Sequence, residues 1–224
     1  MRKYFIVCML LLSSLFILPL STTSAATPLP EDIFQWVQST PRASYFFNKQ
    51  EITYEIGADG YADTNILIVP TIRLFDDMQK KDILMKRKWR GLNTYRFDEL
   101  SGIAEYLRIN KQTKKVDFIN CQFLDQGYNP IETYTRSSED ITTMSPKDVE
   151  FTFFTTILDF EAQNKKAMLT KIAYQVKPND LKAAGIKLSD LNKTENNQAE
   201  TKSEAKNNKD TMTNKVKAIK DEYK

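Results

Sequence analysis

Three strand-like runs joined by two turns, between Ile103 and Arg136, decide most of what this chain can fold into. AEYLRIN, VDFINCQFLD and IETYTR are rich in branched and aromatic residues, and KQTKK and QGYNP separate them. Such runs, punctuated by polar and Gly/Pro clusters, predict a β-meander. By the two-residue period of a strand, Ile119, Cys121 and Phe123 share one face while Val116 and Phe118 point to the other. Cys121 then has apolar neighbours on its own face, and a buried packing thiol is the better reading than a nucleophile, which would need a cationic neighbour or a helix N-terminus.

The rest of the chain supports an α+β class: a small antiparallel sheet with a C-terminal helix and a polar tail. Around EDIFQWVQS, residues Ile33, Phe34, Trp36 and Val37 predict a short helical turn at the domain edge. YFFNKQEITYEI (45–56) reads as two short extended pieces, and Asp59-Gly60 as a tight reversal. The run 65–75 is β-rich but contains Pro70, which predicts an edge strand or a bulge, because proline cannot donate to a ladder. Residues from Asp76 predict a helix stopped by Gly91, with Met78, Ile83, Leu84, Met85 and Trp89 forming no clean stripe; a strand after a loop is the competing reading. SPKDVEFTFFTTILDF offers Ser145 as N-cap and Pro146 as the first helical residue, with Val149, Phe153, Ile157 and Phe160 at helical spacing. A buried strand over 149–160 is the competing reading; the start signals favour the helix.

The N-terminus has its own signature. Arg2 and Lys3 precede a long apolar run, then Pro19, then STTSAATP. That is the pattern of a signal peptide over residues 1–26, cut after Ala25 or Ala26; an uncleaved anchor is the alternative. Cys8 lies inside the leader without the small-residue context of a lipoprotein site. After cleavage Cys121 is alone and no intramolecular disulfide can form. A single domain is expected over 27–191, and the Lys-, Asn- and Glu-rich stretch 192–224 is too poor in apolar residues to fold. The expected location is therefore periplasmic, cell-surface or extracellular.

Histidine is absent from the sequence, which removes Ser-His-Asp and Cys-His catalysis and histidine metal sites. No phosphate loop or dinucleotide fingerprint occurs, and no cofactor or metal is expected. The acids Asp59, Asp63, Asp76 and Asp77 lack the spacing of a calcium loop. Paired carboxylates among Asp76, Asp77, Asp98, Glu99 and Asp125 leave open an envelope-polymer hydrolase. The net charge of +3 does not suggest nucleic acid. One stretch suggests binding: Lys86, Arg87, Lys88, Trp89, Arg90 and Tyr95 interleave cations with aromatics, suited to an anionic envelope polymer, a lipid surface or a host glycan or protein. The residues favour, over binding, a solvated face with Trp89 turned inward. A further reading is an assembly factor that offers the edge around Pro70 to a partner strand.

YFFNKQEITY, the meander and MSPKDVEFTFFTTI together resemble the small exported domain of the surface-adhesin protein E family, over residues 43–160. Tyr45, Asn48 and Ile52 correspond to its opening, Asp125 and Gly127 to its turn, and Ser145 and Pro146 to its closing helix start. The single cysteine departs from that family's frequent disulfide pair, and the segment between Asp63 and Gly102 is a long insertion. The resemblance implies an exported, non-catalytic α+β binding domain and carries over no binding residues.

Overall fold

The computed structural model describes residues 28–187; the leader 1–26 and the tail 192–224 lie outside them. Eight antiparallel strands form one sheet: β1 (Phe34–Ser39), β2 (Ala43–Asn48), β3 (Thr53–Ile56), β4 (Ala62–Phe75), β5 (Leu100–Asn110), β6 (Lys115–Asp125), β7 (Pro130–Tyr134) and β8 (Glu139–Asp140). The helices are α1 (Asp77–Trp89), α2 (Val149–Lys171) and the short α3 (Pro178–Ala183). The class is α+β, as the sequence predicts, and the meander is present as β5, β6 and β7. The strand order is β1-β2-β4-β5-β6-β7, with β3 on β4 and β8 on β6.

The segment expected to be a helical turn near Trp36 is instead the edge strand β1, paired to β2 with a bulge at Val37. Pro70 is not on an edge either. β4 is a central strand that pairs along 66–74 with β5. On its other side it pairs with β3 up to Ile68 and with β2 from Thr71. Val69 and Pro70 fall in the gap between those two partners, the one place in a central strand where a missing N–H costs no ladder bond. No unpartnered edge is therefore available at 65–75 for strand addition.

The face assignment in β6 also needs correction. The register jumps between Tyr106↔Asn120 and Leu107↔Phe118, so Ile119 is the extra residue of a β-bulge. A bulge resets the alternation. Val116, Phe118, Cys121 and Phe123 therefore all sit opposite the inward residues Ile109, Leu107, Glu105 and Ile103. Ile119 itself is exposed.

That inward face carries the core. Phe47, Tyr54, Leu67, Val69, Leu107 and Ile109 are buried from the sheet, and Phe153, Phe154, Ile157 and Leu169 from α2. Residues 149–160 are helical, as the start signals predict. The helix begins three residues later than expected, however: Ser145 to Asp148 form a turn in which the Asp148 carboxylate accepts from the Ser145 N–H at 2.8 Å. The stripe of Phe153 and Ile157 continues one layer further through Phe160, which meets Phe47 edge-on at 5.1 Å. Farther along α2, the buried Glu161 accepts from Tyr54 Oη at 2.6 Å and pairs with Lys111 at 2.8 Å. Burial and that carboxylate raise the Tyr54 pKa above its ordinary value.

Between the apolar layer under α2 and the end of the sheet under α1 lies a buried charged cluster. Arg73 lies 2.9 Å from Glu105 and 2.6 Å from Glu150, and Arg136 lies 3.1 Å from Glu105, with Glu139 also on Arg136. Tyr134 donates to Glu105 at 2.9 Å. Glu105 is 1% exposed, and a carboxylate so deep is tolerated only when paired. The pairing is dense but not saturated: Arg73 Nη2 is within ion-pair distance of Glu105 Oε2, yet Arg73 Nε and that oxygen make no hydrogen bond. Burial works against the Arg136 charge, but Glu105, Glu150 and Glu139 outweigh it and hold the proton more tightly than usual. Cys121 sits directly across from Glu105. It is buried, and burial together with the Glu105 charge raises its pKa, which keeps it a thiol. Packing is the role its surroundings support.

Candidate binding surface

Helix α1 follows β4 without a loop. The Asp76 carboxylate accepts from the Gln79 N–H at 2.7 Å and so caps the first turn. Asp77 in the first turn and Lys86, Arg87 and Lys88 in the last complement the helix dipole. At the other end Gly91 takes φ +64°, its N–H bonds the Lys88 carbonyl at 3.1 Å, and the Leu92 N–H bonds the Arg87 carbonyl at 3.0 Å. That is a Schellman closure, which needs a residue able to adopt the left-handed conformation. Gly91 thus stops the helix where the sequence predicts.

Arg87 decides which way α1 faces. It is buried, donates to the Asn93 carbonyl at 2.7 Å and to Glu132 at 2.6 Å, and lies 3.9 Å over the Phe97 ring. Phe97 in turn packs edge-on to Phe123 at 5.2 Å, and Phe123 stacks on Tyr134 at 4.7 Å. The loop after α1 is tied down on the same side, where Arg96 pairs with Asp125 and Glu99. With Arg87 inward, the helical period of about 100° per residue sends Met78, Met85 and Trp89 outward within an arc of roughly 40°.

The exposures follow this geometry. Trp89 is 91% exposed, Tyr95 77%, Met85 64% and Met78 60%, with Leu92 exposed beyond the helix end. Trp89 is thus turned outward, and the inward alternative is wrong. Lys81 and Lys88 flank one side of the stripe and Lys86 the other, with Arg90 at the C-cap. Of the cations on α1, Lys80 pairs with Asp77 and Arg87 with Glu132, and Asp82 is taken by Arg42. Among the described residues, Lys81, Lys86, Lys88 and Arg90 have no ion-pair partner. Trp89 and Met85, with the stems of Lys86 and Lys88, line an open apolar depression of about 490 Å³.

Of the six residues singled out by sequence, five are exposed, Lys86, Lys88, Trp89, Arg90 and Tyr95, and three of these, Lys86, Lys88 and Trp89, line the depression with Met85. Arg87 is a structural anchor instead. Met78 and Met85 join the surface and were not singled out; their signal was the spacing 78, 85, 89, opposite the buried position 87.

Four of the five acids considered for hydrolysis have local occupations, and the fifth, Asp98, is exposed. Asp76 caps α1, Asp77 pairs with Lys80, and Glu99 with Arg96. Asp125 closes the turn into β7: burial opposes its charge, but bonds from the Asn129 and Gly127 N–H groups and the nearby Arg96 leave its pKa below the usual range. The acids that do converge, Glu105, Glu139 and Glu150, each hold an arginine.

Among the described residues, no helix is long and apolar enough to cross a membrane, and no group of acids and cysteine is arranged to hold a metal ion. Comparison with protein-family models, with curated proteins and with solved structures finds no match.

Proposed function

We propose that this chain is an exported bacterial envelope or surface protein of the binding type, whose docking surface is the outward face of α1. Export is supported by the basic start, apolar run and small-residue cut site over residues 1–26. The resemblance to the surface-adhesin protein E family, carried by sequence motifs alone, agrees with an exported binding domain. The observation that carries the reading is the α1 surface: Trp89 stands almost fully exposed among four cations that have no ion-pair partner among the described residues. A large aromatic in that position has no packing role, and such residues mark contact sites. Occupied carboxylates at Asp76, Asp77, Glu99 and Asp125 favour this reading over a polymer hydrolase.

Mass spectrometry of the native protein, with cell fractionation, tests it. The expected result is a mature terminus at Ala26 or Thr27 in an exported fraction, with envelope association reduced several-fold by Lys86→Glu/Lys88→Glu/Arg90→Glu. An intact Met1 in the cytosol, or undiminished association of the triple variant, overturns it.

A further inference from the structure

We infer that the partner of the α1 surface is an anionic phospholipid bilayer, on which α1 lies flat with Trp89 at the headgroup level. This rests on the docking role proposed above. The surface is an open face rather than an enclosed groove, its one depression being shallow-walled and open to solvent. Met78, Met85 and Trp89 run in line along one side of the helix over about 16 Å, the rise of eleven residues. At 91% exposure Trp89 stands out to solvent, and the open depression that it lines with Met85 encloses neither a peptide nor a sugar chain. A saccharide would also need hydrogen-bonding acceptors beside the ring, and the acid nearest the stripe, Asp82, is engaged by Arg42 at 2.9 Å.

A bilayer needs what is present. Apolar and aromatic side chains line the middle of the exposed face, and cations lie on both flanks, long enough to reach outward to phosphates while their stems stay against the apolar stripe. Tryptophan favours that interface because its ring is apolar and its N–H is polar. The charge complementarity is explicit, since Lys81, Lys86, Lys88 and Arg90 have no carboxylate partner among the described residues. The apolar stripe is only three residues within the helix, so attachment is peripheral and depends on charge as well as insertion. Each cation near an anionic leaflet raises partitioning about fivefold. Reversing all four lowers it by at least about 600-fold on the same scale.

The test follows Trp89 itself, so that membrane contact by any other part of the chain does not count. In the full chain carrying Trp36→Phe, Trp89 is the only tryptophan, and its emission is recorded with vesicles of phosphatidylglycerol and phosphatidylethanolamine or of phosphatidylcholine alone. The expected result is a blue shift with the anionic vesicles only. It should vanish in Lys81→Glu/Lys86→Glu/Lys88→Glu/Arg90→Glu and at about 0.5 M salt, where the screening length falls to a few ångströms. Circular dichroism of the quadruple variant confirms that it is folded. No shift with anionic vesicles, while association with isolated envelopes still depends on these cations, would overturn the lipid assignment and leave the docking role standing. An equal shift with phosphatidylcholine would also overturn it. Loss of the cation dependence in both assays would end the docking role as well.

Discussion

Replacing Arg73 by methionine tests the charged layer that joins the two halves of the inward face. Arg73 is 7% exposed in its side chain, contacts Glu105 and Glu150, and sits 5.0 Å over the Tyr45 ring. The cluster holds two arginines against three glutamates, a formal sum of 2 − 3 = −1. Arg73→Met changes that to 1 − 3 = −2 and leaves the fully buried Glu105 carboxylate sharing Arg136 with Glu139 and Glu150. Removing one partner from a buried pair costs about 3–5 kcal/mol. Glu139 and Glu150 are each 24% exposed and keep some water, which places the loss near 3 kcal/mol on that scale. For a domain of this size that lowers Tm by roughly 6–12 °C. The double variant Arg73→Met/Glu105→Leu returns the sum to 1 − 2 = −1 and should recover more than half of the loss. Urea denaturation with an unchanged slope is the assay. A loss under about 1 kcal/mol for Arg73→Met, or a double variant less stable than the single, would refute the reasoning.

Two further outcomes follow from particular contacts. A methyl group at Gly102 would lie 2.1 Å from the Arg73 carbonyl oxygen, so Gly102→Ala should destabilise by about 1–3 kcal/mol through forced separation of β4 and β5, read from the urea midpoint. The Cys121 thiol, buried and raised in pKa, should resist a thiol reagent at pH 8 until the protein unfolds. Rapid labelling of the native state would show that the packing role is wrong.

Much of the sheet was legible because its central strands are strongly patterned. The meander, the turn at Asp59-Gly60 and the stop at Gly91 are each local signals with a local cause. What was not legible depends on register. Pro70 reads as an edge residue until it is known that β3 and β2 share one side of β4 and leave a gap there. The Ile119 bulge inverts the face of half of β6, and nothing within VDFINCQFLD marks the extra residue. β1 is a strand because β2 is beside it, while its own sequence serves a helical turn as well. The charged cluster was missed because Arg73, Glu105 and Arg136 are far apart in sequence. A trace existed in Arg73 and Glu105, which occupy inward positions beside Val69 and Leu107.

The binding surface was half legible. Its basic and aromatic composition stands out, but composition does not say which residues face out. Ile83 and Leu84 fix the inward side of α1, and the helical period then places Arg87 inside and Trp89 outside. That step was available from the sequence and needed only the choice of Arg87, rather than Trp89, as the buried residue.

The most direct test of the docking surface is photocrosslinking in living cells, with a benzophenone amino acid at position 89 and, as control, at the exposed position 119 in the β6 bulge. Adducts bearing envelope lipid at 89 and none at 119 are predicted. Equal yields at the two positions, or no adduct of any kind at 89, would contradict a docking role for α1; adducts at 89 that carry no lipid would contradict the lipid assignment alone.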